Sequence, residues 1–121
     1  MASDKKTIGL TAGNQRVMEE LVERKIFKDG IAAAKFALAT AINSGVEPKG
    51  AEGTGTIWNV GSFDTDSELK NLIPVLFPGS ETPYRTVEEL INAGFELLGR
   101  KMRDNPNITP LDLLDQPAGQ R

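Results

Sequence analysis

Residues 31–44 read IAAAKFALATAINS. A single charge, Lys35, interrupts the stretch, and its larger apolar residues Ile31, Leu38 and Ile42 fall near helical spacing with Ala34 and Ala41 on the same stripe. Phe36 and Ala39 keep the rest of the cylinder apolar, so this is a central helix covered on several sides. Side chains as short as alanine let a second helix axis come close. The stretch is therefore a packing hub, either of a small globular core or of an intertwined dimer or pseudo-dimer.

Outward on the N-terminal side, Met1 to Asp4 is expected to be mobile, and the pattern then alternates. Lys6, Ile8 and Leu10 point one way while Lys5, Thr7, Gly9 and Thr11 point the other, the period of a short half-buried strand. Thr11 stands where a helix N-cap is wanted, and Val17, Met18, Leu21 and Val22 make an amphipathic helix of about Ala12 to Lys25, with Glu19, Glu20 and Glu23 on its solvated face. Asp29-Gly30 caps the hub and Gly45 closes it as a C′ glycine.

On the C-terminal side the order repeats. Residues 47–55 hold a proline and three of the glycines Gly50, Gly53 and Gly55 without periodicity, a surface connection lacking the lysine and following helix of a phosphate loop. Thr56 to Phe63, TIWNVGSF, reads as a second strand, and Thr65-x-x-Glu68 as a capping box. Leu69, Leu72, Ile73, Leu76 and Phe77 form a stripe that Pro74 shortens or kinks. Thr86-x-x-Glu89 opens a further helix carrying Val87, Leu90, Ile91, Gly94, Phe95 and Leu98, with Glu88-Glu89 as acids favoured at its start. A shift of 55 residues lays Val17, Met18, Leu21 and Val22 on Leu72, Ile73, Leu76 and Phe77, so an internal repeat is one reading. If it is real, the two strands pair antiparallel with four helices behind them. Beyond Met102, Thr109-Pro110 starts a single docked turn of Leu111, Leu113 and Leu114 before a disordered end.

Composition excludes much chemistry. The 121 residues contain no cysteine and no histidine, which removes disulfides, thiolate nucleophiles, Ser-His and Cys-His dyads and nearly all zinc, copper and haem sites. No catalytic, cofactor or metal residues are assigned, and an enzyme is not expected. No apolar run has the length a bilayer demands, and MASDKKTIGL lacks a signal-peptide core, so a cytoplasmic protein is expected. The net charge is -3, spread unevenly: residues 1–50 hold eight Lys or Arg against six acids, and residues 51–121 six against eleven. A polyanion would meet the first half and a protein partner the acidic second half. Trp58, Phe63 and Tyr84-Arg85 are aromatic candidates for a stacking platform or interface, with core packing the simpler role.

KKTIGLT, a helix of roughly thirteen residues, a turn and a second apolar helix resemble the ribbon-helix-helix family of DNA-binding regulators and antitoxins over residues 5–45. In that family two strands form a ribbon in the major groove, and the start of the second helix holds phosphate. The resemblance implies that Lys5, Thr7, Gly9 and Thr11 face DNA and that Lys6 and Lys28 supply phosphate contacts. Gly9 offers no side chain at the middle reading position, and Asp29 puts a carboxylate where a phosphate would sit. Ile8, Leu10, Ala34, Leu38 and Ala41 are the expected interface residues of a homo-oligomer.

The expectation is thus a mostly helical α+β protein, ribbon-helix-helix-like, in a single domain over 1–121: a strand-helix-helix unit over 5–46, a connection over 47–55, a second unit over 56–102 and a tail over 103–121. Its expected function is DNA-binding transcription regulation through the N-terminal strand. The alternative is a non-enzymatic assembly or adaptor protein that uses the same fold for oligomerisation and protein partners.

Overall fold

A computed structural model describes residues 3–48 and 55–114. The elements run β1 (Thr7–Leu10), α1 (Ala12–Glu23), α2 (Gly30–Asn43), β2 (Gly55–Asn59), α3 (Val60–Phe63), α4 (Glu68–Leu76), α5 (Pro83–Asp104) and α6 (Pro110–Leu114). The fold is mostly helical, with one two-stranded antiparallel sheet in which β1 pairs β2. Residues 1–2, 49–54 and 115–121, and with them the expectations for Met1, Ala2, Gly50, Gly53 and a disordered end, lie outside the described residues.

The hub helix α2 packs chiefly against α5. Ala33, Ala34, Ala37 and Ala41 are fully buried, and the two helices come so close that a Cβ on Gly94 would lie 1.9 Å from the Ala37 carbonyl oxygen and 2.5 Å from its carbon. The alanines and this one glycine are what allow the contact. α5 is as much the hub as α2, with Val87, Leu90, Ile91, Phe95 and Leu98 all fully buried. Its amphipathic period is interrupted on the buried side by Glu88 and Asn92, both fully buried as well.

Local signals fix the helix ends. Thr11 caps α1 by accepting the Asn14 N–H, and Asp29 caps α2 by accepting that of Ala32 at 2.9 Å. α1 stops at Glu23, two residues short of the expected end, where Lys25 takes a left-handed φ of 61°. Gly45, at φ 71°, ends α2: its N–H reaches the Ile42 carbonyl and that of Val46 reaches Ala41, so two terminal carbonyls are satisfied.

Several boundaries differ from the sequence reading. The second strand ends at Asn59, and Val60–Phe63 is a helical turn instead of the continuation of that strand. Thr65 does not cap α4; Asp64 does, its carboxylate accepting the N–H groups of Leu69 and Lys70 at 3.1 Å each. α4 runs through Pro74 and stops two residues later. α5 begins three residues before Thr86, because Pro83 is preorganised for a first helical position, and this moves Glu88 from an exposed helix start into the interior. Asp4, expected to be mobile, is instead anchored, its carboxylate accepting the N–H groups of Tyr84 at 2.9 Å and Arg85 at 3.0 Å.

Ile8, Leu10, Ala34, Leu38 and Ala41, expected between chains, are all 5% exposed or less and lie in this chain's own core. The partner surface they were matched to is supplied in cis by α5 and the ribbon.

Candidate functional site

The ribbon is the first place to look, because alternation puts one face of each strand outside. Ile8 and Leu10 point inward as expected, and Trp58, paired with Ile8, packs its ring on Phe63 at 5.3 Å between centroids. Trp58 is half-buried, so it belongs to the packing rather than to an open stacking platform. Outside, Thr7 and Thr56 bring their hydroxyls to 3.4 Å, and Lys6, Thr56 and Asn59 are exposed. Between Ile8 and Gly9 the register slips by one residue.

The other residues expected to face DNA are engaged within the chain. Gly9 is buried, and a Cβ there would lie 2.1 Å from the Gly55 carbonyl oxygen, so glycine is required by the close approach of β2. The Gly9 N–H donates to Glu88 Oε2 at 2.7 Å, and the Gly9 carbonyl accepts from Asn92 Nδ2 at 3.1 Å. The Thr11 N–H donates to Asn92 Oδ1 at 3.0 Å, while its hydroxyl caps α1. Lys5 lies 3.0 Å from Glu88 Oε1, an ion pair outside hydrogen-bond geometry and the sole partner of that oxygen among the described residues. Lys28 is exposed, next to the Asp29 cap.

The outcome is a side-chain ladder. Spaced four residues apart on α5, Glu88 and Asn92 present acceptor, donor and acceptor to the outer edge of β1, where a third strand would otherwise bond. Asn92 also accepts from Asn14 Nδ2 at 2.9 Å, tying α1 into the same network. The sequence signal for this ladder was two polar residues at helical spacing inside an apolar stripe; reading Glu88 as a helix-start acid concealed it.

The helix start that the family resemblance assigns to phosphate, that of α2, holds a carboxylate, and so does the start of α5. Asp29 sits on α2 and Asp4 on α5. A carboxylate there satisfies the same orphan N–H groups as a phosphate and repels one that approaches.

A second surface lies between α2 and α4. Leu38, Ala39 and Ile42 of α2 and Leu69 and Leu72 of α4 line a groove of about 260 Å³, with Lys35, Asp64 and Glu68 at its charged margin. Beside it Leu72 is 44% exposed, Val75 73% and Leu76 42%. The contrast with α1 is direct: Met18 and Leu21 are buried there, whereas of the matched stripe on α4 only Ile73 is.

Asp64 joins this groove to the core. Burial pushes its carboxyl up, but the N–H of Leu69, the Tyr84 hydroxyl at 2.8 Å and the N–H of Lys70 favour the anion more strongly, and the group is held below the usual carboxylate value. Burial raises Tyr84, with the hydrogen bond to Asp64 and its charge adding to the effect. A lowered carboxyl stabilises the fold above its unfolded value near ~3.9 and loses that contribution as pH falls through the folded value. A raised phenol stabilises it below ~10 and loses that as pH rises through the folded value. Asp64→Asn is therefore expected to flatten the acid limb of stability against pH and Tyr84→Phe the alkaline limb, with Tyr84→Phe costing about 1 kcal/mol near neutrality. Urea unfolding across the pH range checks both; unchanged limbs would refute the assignment.

Among the described residues no cluster of three or more acidic residues could hold a metal ion, and no helix is long and apolar enough to cross a membrane. No protein-family model, curated protein or solved structure matches the chain.

Proposed function

We propose that this chain is a non-enzymatic assembly module, a single-chain counterpart of a ribbon-helix-helix dimer, that docks an amphipathic helix of a partner protein in the groove between α2 and α4. In this reading β1-α1-α2 and β2-α4-α5 are the two units, and their strands form one ribbon. The observation that carries the proposal is the place where the two units differ: α1 is covered by the fold, whereas α4 leaves Leu72, Val75 and Leu76 in solvent beside an apolar groove. Contiguous exposed apolar surface of this kind marks an interaction site. A trough between two helices, apolar along its floor and charged at one end by Lys35 and Glu68, suits a helix presenting apolar anchors at i, i+3 and i+4.

Duplex DNA is favoured less. The ribbon keeps Lys6, Thr56 and Asn59 exposed, but Lys5 is neutralised by Glu88, and the carboxylates of Asp4 and Asp29 occupy the flanking helix starts. Lys5→Ala is also a poor probe of DNA binding, since it strands a buried carboxylate and destabilises the fold by about 3 kcal/mol. Lys6→Ala is the cleaner variant.

One experiment separates the two readings. Wild type, Lys6→Ala and Val75→Asp are compared by light scattering with and without a mixed-sequence duplex at two salt concentrations, and by affinity capture from the source cell. Val75 is largely exposed, so Val75→Asp is expected to keep the wild-type melting temperature while losing a captured protein that Lys6→Ala retains. Binding of duplex that falls steeply with salt and is weakened by Lys6→Ala would overturn the proposal in favour of DNA. Self-association abolished by Val75→Asp would replace the partner helix with a second copy of the chain.

A further inference from the structure

We propose that the cleft between α1 and α5, on a different face from the apolar groove, binds a small oxyanion through Arg100 and Arg103. The cleft measures about 310 Å³ and is walled by Gly13, Asn14 and Val17 on α1 and by Phe95, Glu96, Gly99 and the two arginines on α5. Three residues apart on one helix, Arg100 and Arg103 face the same way. Neither guanidinium has an ion-pair or hydrogen-bond partner among the described residues. Glu96, one turn before Arg100, lines the cleft outside ion-pair distance, so the rim keeps an excess of one positive charge.

The two glycines shape the space. At Gly99 a Cβ would meet Val17 Cγ2 at 3.1 Å and lie 3.6 Å from Arg103 Nη1, so its absence lets α1 approach and the Arg103 head fold back across the cleft. Gly13 has no such reason: a Cβ there would meet nothing within 4 Å. The fold therefore does not need glycine at position 13, and the glycine keeps the cleft open where a methyl group would narrow it. A cavity with two unpaired guanidiniums on its rim is suited to bidentate recognition of a phosphate or carboxylate group. The site is independent of the assembly reading.

The test is a ¹⁵N NMR titration of the full chain with inorganic phosphate and, separately, acetate, each at constant ionic strength against a chloride control. The expected result is saturable shifts centred on the Gly13 and Gly99 amides. Arg100→Gln and Arg103→Gln should each weaken binding by roughly tenfold, since each removes a charge-assisted contact. Gly13→Ala should weaken binding while leaving the protein at least as resistant to heat. Saturation by phosphate alone would assign the site to phosphate groups, and saturation by both to oxyanions generally. Shifts that fail to saturate, that chloride reproduces, or that persist unchanged in the Arg100→Gln/Arg103→Gln double variant would overturn the proposal; both arginines are exposed, so that variant is expected to fold.

Discussion

Gly94→Ala is expected to be the most damaging single methyl group that can be added to this protein. The new carbon would fall 1.9 Å from the oxygen, 2.5 Å from the carbonyl carbon and 2.9 Å from the Cα of Ala37, all backbone atoms. No side chain can rotate to relieve the clash, so α2 and α5 must separate. Their separation loosens Ala33, Ala34, Ala41, Leu90, Ile91 and Phe95 together, since all of them belong to the core those two helices share. Overpacking of a core costs about 1–3 kcal/mol where side chains can adjust, and here they cannot, so a loss of about 3 kcal/mol or more is expected. With total stability on the order of 5–15 kcal/mol, this corresponds to a melting temperature lower by roughly 10 °C or to an unfolded chain. Thermal unfolding followed by circular dichroism checks it. Gly13→Ala is the matched control: the same chemical change in a helix, with nothing within 4 Å, is expected to leave the melting temperature at or above that of wild type. Equal behaviour of the two variants would refute the close crossing.

Asn92→Ala ranks next, for a different reason. The Asn92 side chain accepts from the Thr11 N–H and from Asn14 Nδ2, and donates to the carbonyls of Gly9 and Glu88. Alanine leaves the part-buried Thr11 N–H without its acceptor and the buried Gly9 carbonyl without its donor. An unsatisfied buried group costs about 1–3 kcal/mol, so a loss of about 3 kcal/mol is expected. Asn92→Asp should be worse, because it directs an acceptor at two carbonyl oxygens. Urea unfolding gives the magnitude, and hydrogen exchange gives the location: the Gly9 and Thr11 amides should lose protection before those of α2. Loss of protection spread evenly over the chain would mean that the ladder is not what holds β1.

The period of the apolar residues made the elements legible. β1, α1 and α2 follow from alternation, caps and the closing glycine at position 45, all local signals, whereas the antiparallel pairing of the two strands was expected only if the halves were a repeat. The alanine stripe announced a close helix crossing, although not that Gly94 was the partner. What escaped the sequence reading is long-range. Asp4 looks like part of a loose end until Tyr84 and Arg85 turn their N–H groups toward it. Glu88 and Glu89 look alike as neighbouring acids, yet Glu88 is fully buried, and only the start of α5 at Pro83 makes the distinction. Proline and capping-box signals competed for that boundary, and the proline prevailed. The exposure of Leu72, Val75 and Leu76 was likewise invisible, because an amphipathic stripe does not say whether the fold has anything to lay over it.

The ladder on β1 also sets a schedule for the nascent chain. Gly9 leaves the ribosome 79 residues before Glu88, the side chain its N–H is bonded to. At translation rates of ~5–20 residues per second that interval is roughly 4–16 s. β2 follows partway through it and can pair with β1, but the alanine face of α2 has no α5 to cover it until the interval ends. The N-terminal half therefore emerges as a segment that no local contact can complete, and the protein closes late and as one unit, when its longest helix arrives.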